Sequence, residues 1–109
     1  MCSVAGGFGD TERMLQLMKH RAPDESGIVH DGAFSIGMGR LKILDLVSPG
    51  LCPITDGKLT LAFNGEIYNY KELRDELTTK GHVFTTTSDS EVLLKAYKEW
   101  GRDCLLRLN

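Results

Sequence analysis

Ile28-Val29-His30-Asp31-Gly32-Ala33-Phe34-Ser35-Ile36-Gly37-Met38-Gly39-Arg40-Leu41 is the stretch that decides how this chain folds. Phe34, Ile36 and Met38 alternate with Ser35, Gly37 and Gly39, the period of two that marks a half-buried strand. Asp31-Gly32 suits a type I′ turn, so the stretch reads as a β-hairpin ending near Arg40. Upstream, Val4 to Phe8 is a short apolar run and reads as a first strand. Asp10 or Thr11 then caps a helix on which Met14, Leu15, Leu17 and Met18 share a face. Arg21 to Gly27, with Pro23, reads as a polar loop.

Downstream, Ser48-Pro49-Gly50 opens a loop, and Asp56-Gly57 marks a second hairpin turn into a strand from Leu59 to Phe63. Asn64-Gly65 ends that strand. Asn69 with Glu72, and Ser88 with Glu91, have the spacing of helix capping boxes. Leu73 and Leu77 face one side of the first helix, with Gly81 as its C′ residue. Val83 to Thr87 is a short β-rich stretch. Val92, Leu93, Ala96, Tyr97 and Trp100 form the apolar stripe of the last helix, which Gly101 ends. Strands followed by two helices, with little βαβ alternation, predict an α+β fold. Its 109 residues suit one domain, 1–109.

Composition narrows the function. The 13 basic and 15 acidic residues give a net charge of −2, so a broad basic face for nucleic acid is not expected. No apolar run approaches the roughly 18–20 residues that cross a bilayer, so no membrane partner is expected. The three cysteines, Cys2, Cys52 and Cys104, are far apart and form no Cys-x-x-Cys pair. The start of the chain lacks a basic region followed by an apolar stretch. Together these predict a cytoplasmic protein with free thiols. His20, His30 and His82 are scattered without metal-ligand spacing, so no metal site is expected. There is no Gly-x-x-x-x-Gly-Lys loop for phosphate.

Four features carry chemistry. Loss of Met1 would leave Cys2 with a thiol and an α-amine that serves as its base. Asn64-Gly65, at a strand end, offers a side-chain amide and a backbone N–H of the kind that stabilise an oxyanion, although Asn-Gly is also a common turn. Arg40 and Asp89 could grip the carboxylate and ammonium ends of an α-amino acid. Each also has an ordinary structural reading, as a strand-end arginine and a helix-dipole aspartate.

Taken in order, five segments resemble the N-terminal glutaminase domain of asparagine synthetases, the class II or N-terminal-nucleophile glutamine amidotransferases. They are Met1-Cys2-Ser3-Val4-Ala5-Gly6, His20-Arg21-Ala22-Pro23-Asp24, Arg40-Leu41-Lys42-Ile43-Leu44-Asp45, Asn64-Gly65-Glu66-Ile67-Tyr68-Asn69 and Ser88-Asp89-Ser90-Glu91-Val92-Leu93. The resemblance implies an α-β-β-α sandwich and hydrolysis of glutamine to glutamate and ammonia. It implies that Cys2 attacks the glutamine side-chain amide while Asn64 and Gly65 hold the oxyanion. Arg40 would hold the substrate carboxylate, Asp89 and Glu66 its ammonium, and Ile43 and Leu44 would line the pocket. No cofactor is implied for this half-reaction. ATP and Mg²⁺ would belong to a synthetase domain or chain that accepts the ammonia.

The chain departs from the family pattern at Ser3 and Ala22, where the family has glycine, and at Cys52-Pro53, where it has Gln-Pro. The family also continues past Asn109 into further strands and the synthetase domain. The expectation is therefore a fragment, or a short protein that completes its core by self-association, as a homo-oligomer, or with a partner chain. Two other readings stand beside it: a non-catalytic binding module that keeps this fold, and the glutaminase domain of another class II amidotransferase.

Overall fold

The computed structural model describes residues 1–48 and 52–109. The loop expected at Ser48-Pro49-Gly50 therefore lies largely outside the described residues. The first half of the chain is a three-stranded antiparallel sheet in the order β1-β3-β2. Its strands are β1 (Ser3–Gly7), β2 (Glu25–Asp31) and β3 (Phe34–Arg40). Helix α1 (Thr11–Leu17) follows β1 and covers one sheet face. Asp10 caps it, its side chain accepting the Arg13 N–H at 2.9 Å. Thr11 and Leu15 are the buried residues of α1, and they sit on Gly37. A Cβ at Gly37 would lie 2.8 Å from both side chains, so only glycine lets the helix come this close. The rest of the expected apolar face stays open, with Leu17 72% exposed.

The β2–β3 hairpin forms, but its turn is not the one Asp31-Gly32 suggests. Asp31 pairs with Phe34, so the two-residue loop is Gly32-Ala33. Gly32 has φ 59°, and Ala33 does not have positive φ. That is the pattern of a type II′ turn, with glycine at its first central position. β2 also begins at Glu25, inside the expected polar loop, because Glu25 to Gly27 pair with Arg40 to Met38.

The second half is built on helices. β4 (Ile54–Asp56) and β5 (Leu59–Leu61) form the expected hairpin, although β5 stops before Phe63. Helices α2 (Tyr70–Thr79) and α3 (Asp89–Trp100) pack together, and a 3₁₀ helix over Gly101–Arg107 lies against α3. Ile67, Leu73, Leu77, Val92, Ala96 and Cys104 form the core between them. Leu94 points elsewhere, into a smaller cluster with Ile54, Leu59 and Leu61 that seats the hairpin on α3. α3 is thus buried on two sides, which a single stripe does not anticipate. α2 ends in paired bonds from Gly81 N–H to Thr78 O and from His82 N–H to Leu77 O, a Schellman motif.

Three local expectations give way to tertiary contacts. Asn69 precedes α2 but makes no cap bond. Its Nδ2 donates to Arg107 O at 2.8 Å and its Oδ1 accepts from Asn109 N–H at 2.9 Å, fastening the C-terminal residues. Ser88 does cap α3, accepting from Ser90 N–H at 3.1 Å. Glu91, however, turns to Thr85 and Thr86 rather than back to the cap. The Val83 to Thr87 stretch is accordingly an irregular segment, in which the Glu91 side chain, not a neighbouring strand, takes the Thr85 and Thr86 amides.

Candidate active site

The site lies where the two halves meet. A cleft of about 60 Å³ is lined by Cys2, Arg40, Ile43, Leu44, Gly65, Glu66 and Asp89, together with Met38, Leu41, Phe63, Ser88 and Ser90. Residues from four separate segments of sequence therefore converge. Of the residues singled out in the sequence, Asn64 is the one that stays off the lining; it is exposed, beside the cleft. Two larger clefts, of about 480 and 420 Å³, contain none of them.

Cys2 stands just before β1, half-buried, its Sγ 3.7 Å from Leu41 O. Arg40 ends β3 and is buried. Its Nη2 donates to Leu44 O at 2.6 Å and to Asp45 O at 2.8 Å, and its Nη1 to Glu25 Oε2 at 3.4 Å. A guanidinium has five N–H groups, so these three bonds leave two free. Arg40 therefore shapes the loop that follows it as well as charging the cleft.

Asp89 is the first residue of α3 and is buried. Its Oδ2 accepts the Ile67 N–H at 3.1 Å, tying the Asn64 to Ile67 loop to the helix. Gly65 and Glu66 are exposed on that loop, and Phe63 packs under it. Asp45 joins the two charged positions. It has φ 50°, a left-handed conformation that aspartate tolerates better than most residues. Its Oδ1 accepts from Ser48 N–H at 2.8 Å and its Oδ2 from Thr87 N–H at 2.7 Å. Desolvation acts to raise its pKa, but these bonds outweigh it and hold the carboxyl well below the usual range.

Asp45 and Glu25 were not singled out in the sequence. Their roles depend on contacts 42 and 15 residues away, with Thr87 and Arg40. The departures from the family pattern are easier to place. Ser3 and Ala22 both pack on Gly39: a Cβ there would lie 2.6 Å from Ser3 Oγ and 2.9 Å from Ala22 Cβ. Gly39 makes the room that the larger residues take. Cys52 lies behind the site with its Sγ 2.9 Å from Met38 O. Burial, with the negative charge of Glu25, pushes its thiol up to about 12. Among the described residues, no group of three or more His, Cys, Asp or Glu is arranged to hold a metal ion. Among the same residues, no helix is long and apolar enough to cross a membrane.

A family model described as a glutamine amidotransferase domain matches residues 1–109. The chain is similar to asparagine synthetase (glutamine-hydrolyzing) 1 of Bacillus subtilis strain 168, 42% identical over 122 aligned positions. That alignment covers 99% of this chain and 19% of the relative. A putative asparagine synthetase (glutamine-hydrolyzing) of Mycobacterium bovis is 46% identical over 107 positions, covering 88% of this chain and 16% of the relative. An asparagine synthetase (glutamine-hydrolyzing) of Sandersonia aurantiaca is 37% identical, covering 100% of this chain and 22% of the relative. The chain thus spans 16% to 22% of the length of these relatives.

Proposed function

The chain belongs to the glutamine amidotransferase domain family, and from that premise we propose that it hydrolyses glutamine with Cys2 as nucleophile, supplying ammonia for asparagine synthesis. Residues 1–109 correspond in this reading to the N-terminal part of a glutaminase domain. The layer of α1 on its sheet and the layer of α3 on its hairpin are the two outer halves of an α-β-β-α sandwich. One observation carries the reading: a single cleft gathers Cys2, Arg40, Gly65, Glu66 and Asp89 from segments far apart in sequence.

The chemistry runs as follows once Met1 is removed. The Cys2 α-amine takes the thiol proton, and the thiolate forms a C–S bond to the glutamine side-chain carbonyl carbon. The carbonyl oxygen becomes an oxyanion, held by the Asn64 side chain and the Gly65 N–H; one such donor is worth roughly 10²–10³ in rate. Collapse breaks the C–N bond, and the ammonium of Cys2 gives its proton to the leaving ammonia. Water, deprotonated by the same amine, adds to the thioester. The C–S bond breaks, glutamate leaves and the thiol regains its proton. Arg40 faces the substrate carboxylate, Asp89 and Glu66 face its ammonium, and Ile43 and Leu44 form the adjoining wall.

This half-reaction draws on a thiol, an amine, oxyanion donors and water. ATP and Mg²⁺ enter only at the ammonia-accepting synthetase domain or chain. Unpaired thiols fit a reducing, cytoplasmic setting. The test is glutamate release from glutamine by the purified chain. The reading expects release by a chain lacking Met1 and none from Cys2→Ala; activity that survives Cys2→Ala overturns it.

A further inference from the structure

We propose that Asp45 is the positioning residue that sets the distance between Arg40 and Asp89, and so selects a substrate with a free carboxylate and a free ammonium on one carbon. The inference rests on the glutaminase reading above, which assigns those two ends of the substrate. Asp45 is bonded toward both. Its backbone oxygen accepts from Arg40 Nη2 at 2.8 Å. Its carboxylate accepts the Thr87 N–H at 2.7 Å, two residues before Asp89. Its other carboxylate oxygen accepts the Ser48 N–H at 2.8 Å, which holds the turn that aims it. Asp89 in turn holds Ile67, beyond the oxyanion loop. No second described contact joins the loop after β3 to the segment before α3 by a hydrogen bond. Cutting the Asp45–Thr87 bond leaves the two charges on separately moving supports.

Asp45 touches neither Cys2 nor the oxyanion donors, so it acts on substrate capture rather than on bond making. A binding group placed on a free support loses part of its pre-organisation, which weakens capture of the two charged ends. The backbone conformation limits which variants are informative. Alanine at φ 50° is strained, whereas glycine and asparagine adopt it. Asp45→Gly keeps the turn and removes both side-chain bonds. Asp45→Asn keeps one acceptor oxygen and loses the charge.

The experiment compares wild type, Asp45→Gly and Asp45→Asn in three assays: glutamine hydrolysis, L-glutamate binding by calorimetry, and Cys2 alkylation by iodoacetamide, which carries neither charged end. Asp45→Gly is expected to raise KM for glutamine about tenfold, the size of one lost charged hydrogen bond, with kcat falling by less. Asp45→Asn is expected between the two. Glutamate binding weakens in parallel, and iodoacetamide reactivity at Cys2 is unchanged. An unchanged KM, or a loss confined to kcat, overturns the proposal. So does an equal fall in iodoacetamide reactivity, which marks general collapse. If wild type binds glutamate but does not hydrolyse glutamine, the glutaminase reading fails, and the glutamate affinities alone decide for or against Asp45. Absence of glutamate binding by wild type overturns both.

Discussion

The Asp89 carboxylate accepts the Ile67 backbone N–H at 3.1 Å, deep between α3 and the loop that carries Gly65 and Glu66. The bond joins a charged group at a helix start to a buried amide that α2 and β5 leave unpaired. Removing the acceptor strands that amide. Asp89→Ala should cost about 1–3 kcal/mol in urea unfolding, and Asp89→Asn, which keeps a carbonyl oxygen, should cost less. Equal stability of all three chains would show that the bond contributes nothing.

Glu91 is the most heavily bonded side chain in the second half. It accepts from Thr85 N–H at 3.0 Å, Thr86 N–H at 2.8 Å, Thr85 Oγ1 at 3.2 Å and Thr86 Oγ1 at 2.7 Å. It is buried, so its loss leaves several polar groups without water or partner. Glu91→Ala should destabilise by about 3 kcal/mol, and more than Glu91→Gln. Hydrogen exchange at Thr85 and Thr86 should accelerate in the same order. Wild-type protection at those two amides in Glu91→Ala would contradict the assignment.

Acid should unfold the chain through Asp45, Glu91 and Asp56. Desolvation raises the pKa of Asp45 and Glu91, but hydrogen bonds from Ser48 and Thr87, and from Thr85 and Thr86, lower both by more. Hydrogen bonding and the charges of Lys95 and Lys98 lower Asp56. A carboxylate with a lower pKa when folded binds protons more weakly in the native state. Its contribution is complete above the unfolded value of about 4 and is lost as pH falls below it. Stability measured from pH 7 to 2 should be nearly flat at first and fall below about pH 4, with a shallower fall in Glu91→Gln. A decline beginning at pH 6 would place the sensitivity outside these carboxylates.

Ser3 is buried, and its Oγ finds no hydrogen-bond partner among the described residues. A buried hydroxyl without a partner costs about 1–3 kcal/mol. Ser3→Ala removes the hydroxyl, whose oxygen is the Ser3 atom that crowds Gly39. It should leave the midpoint of thermal unfolding unchanged or raise it. A drop of more than about 4 °C, roughly 1 kcal/mol for a domain this size, would mean the hydroxyl is bonded after all.

The legible part of this protein was what local pattern dictates. Alternation in Phe34 to Met38 marked β3, Asp10 and Ser88 marked helix starts, and Gly81 and Gly101 marked helix ends. The family resemblance carried by the five segments implied Cys2, Arg40, Ile43, Leu44, Gly65, Glu66 and Asp89, which are among the residues that line the cleft. What failed were places where a side chain answers a distant group. Asn69 and Glu91 have capping-box spacing, yet Asn69 holds Arg107 and Asn109, and Glu91 holds Thr85 and Thr86. A cap is worth about 1 kcal/mol, so a buried cluster of several bonds outcompetes it. The Val83 to Thr87 stretch has β-forming residues but no partner strand among those described, and propensity alone does not make a sheet. Asp45 was invisible for the same reason, because its bond to Thr87 spans 42 residues.

The central claim is that Cys2 is a nucleophile in a formed glutamine site. Intact-mass spectrometry after exposure to a glutamine-analogue electrophile, followed by peptide mapping, tests it most directly. Burial raises the pKa of both other thiols, Cys52 and Cys104, so neither competes at neutral pH. The account predicts one adduct per chain, on Cys2, in protein that has lost Met1, and blocked by excess L-glutamine. An unmodified Cys2 in such protein, or labelling of Cys52 and Cys104 to the same extent as Cys2, would contradict it.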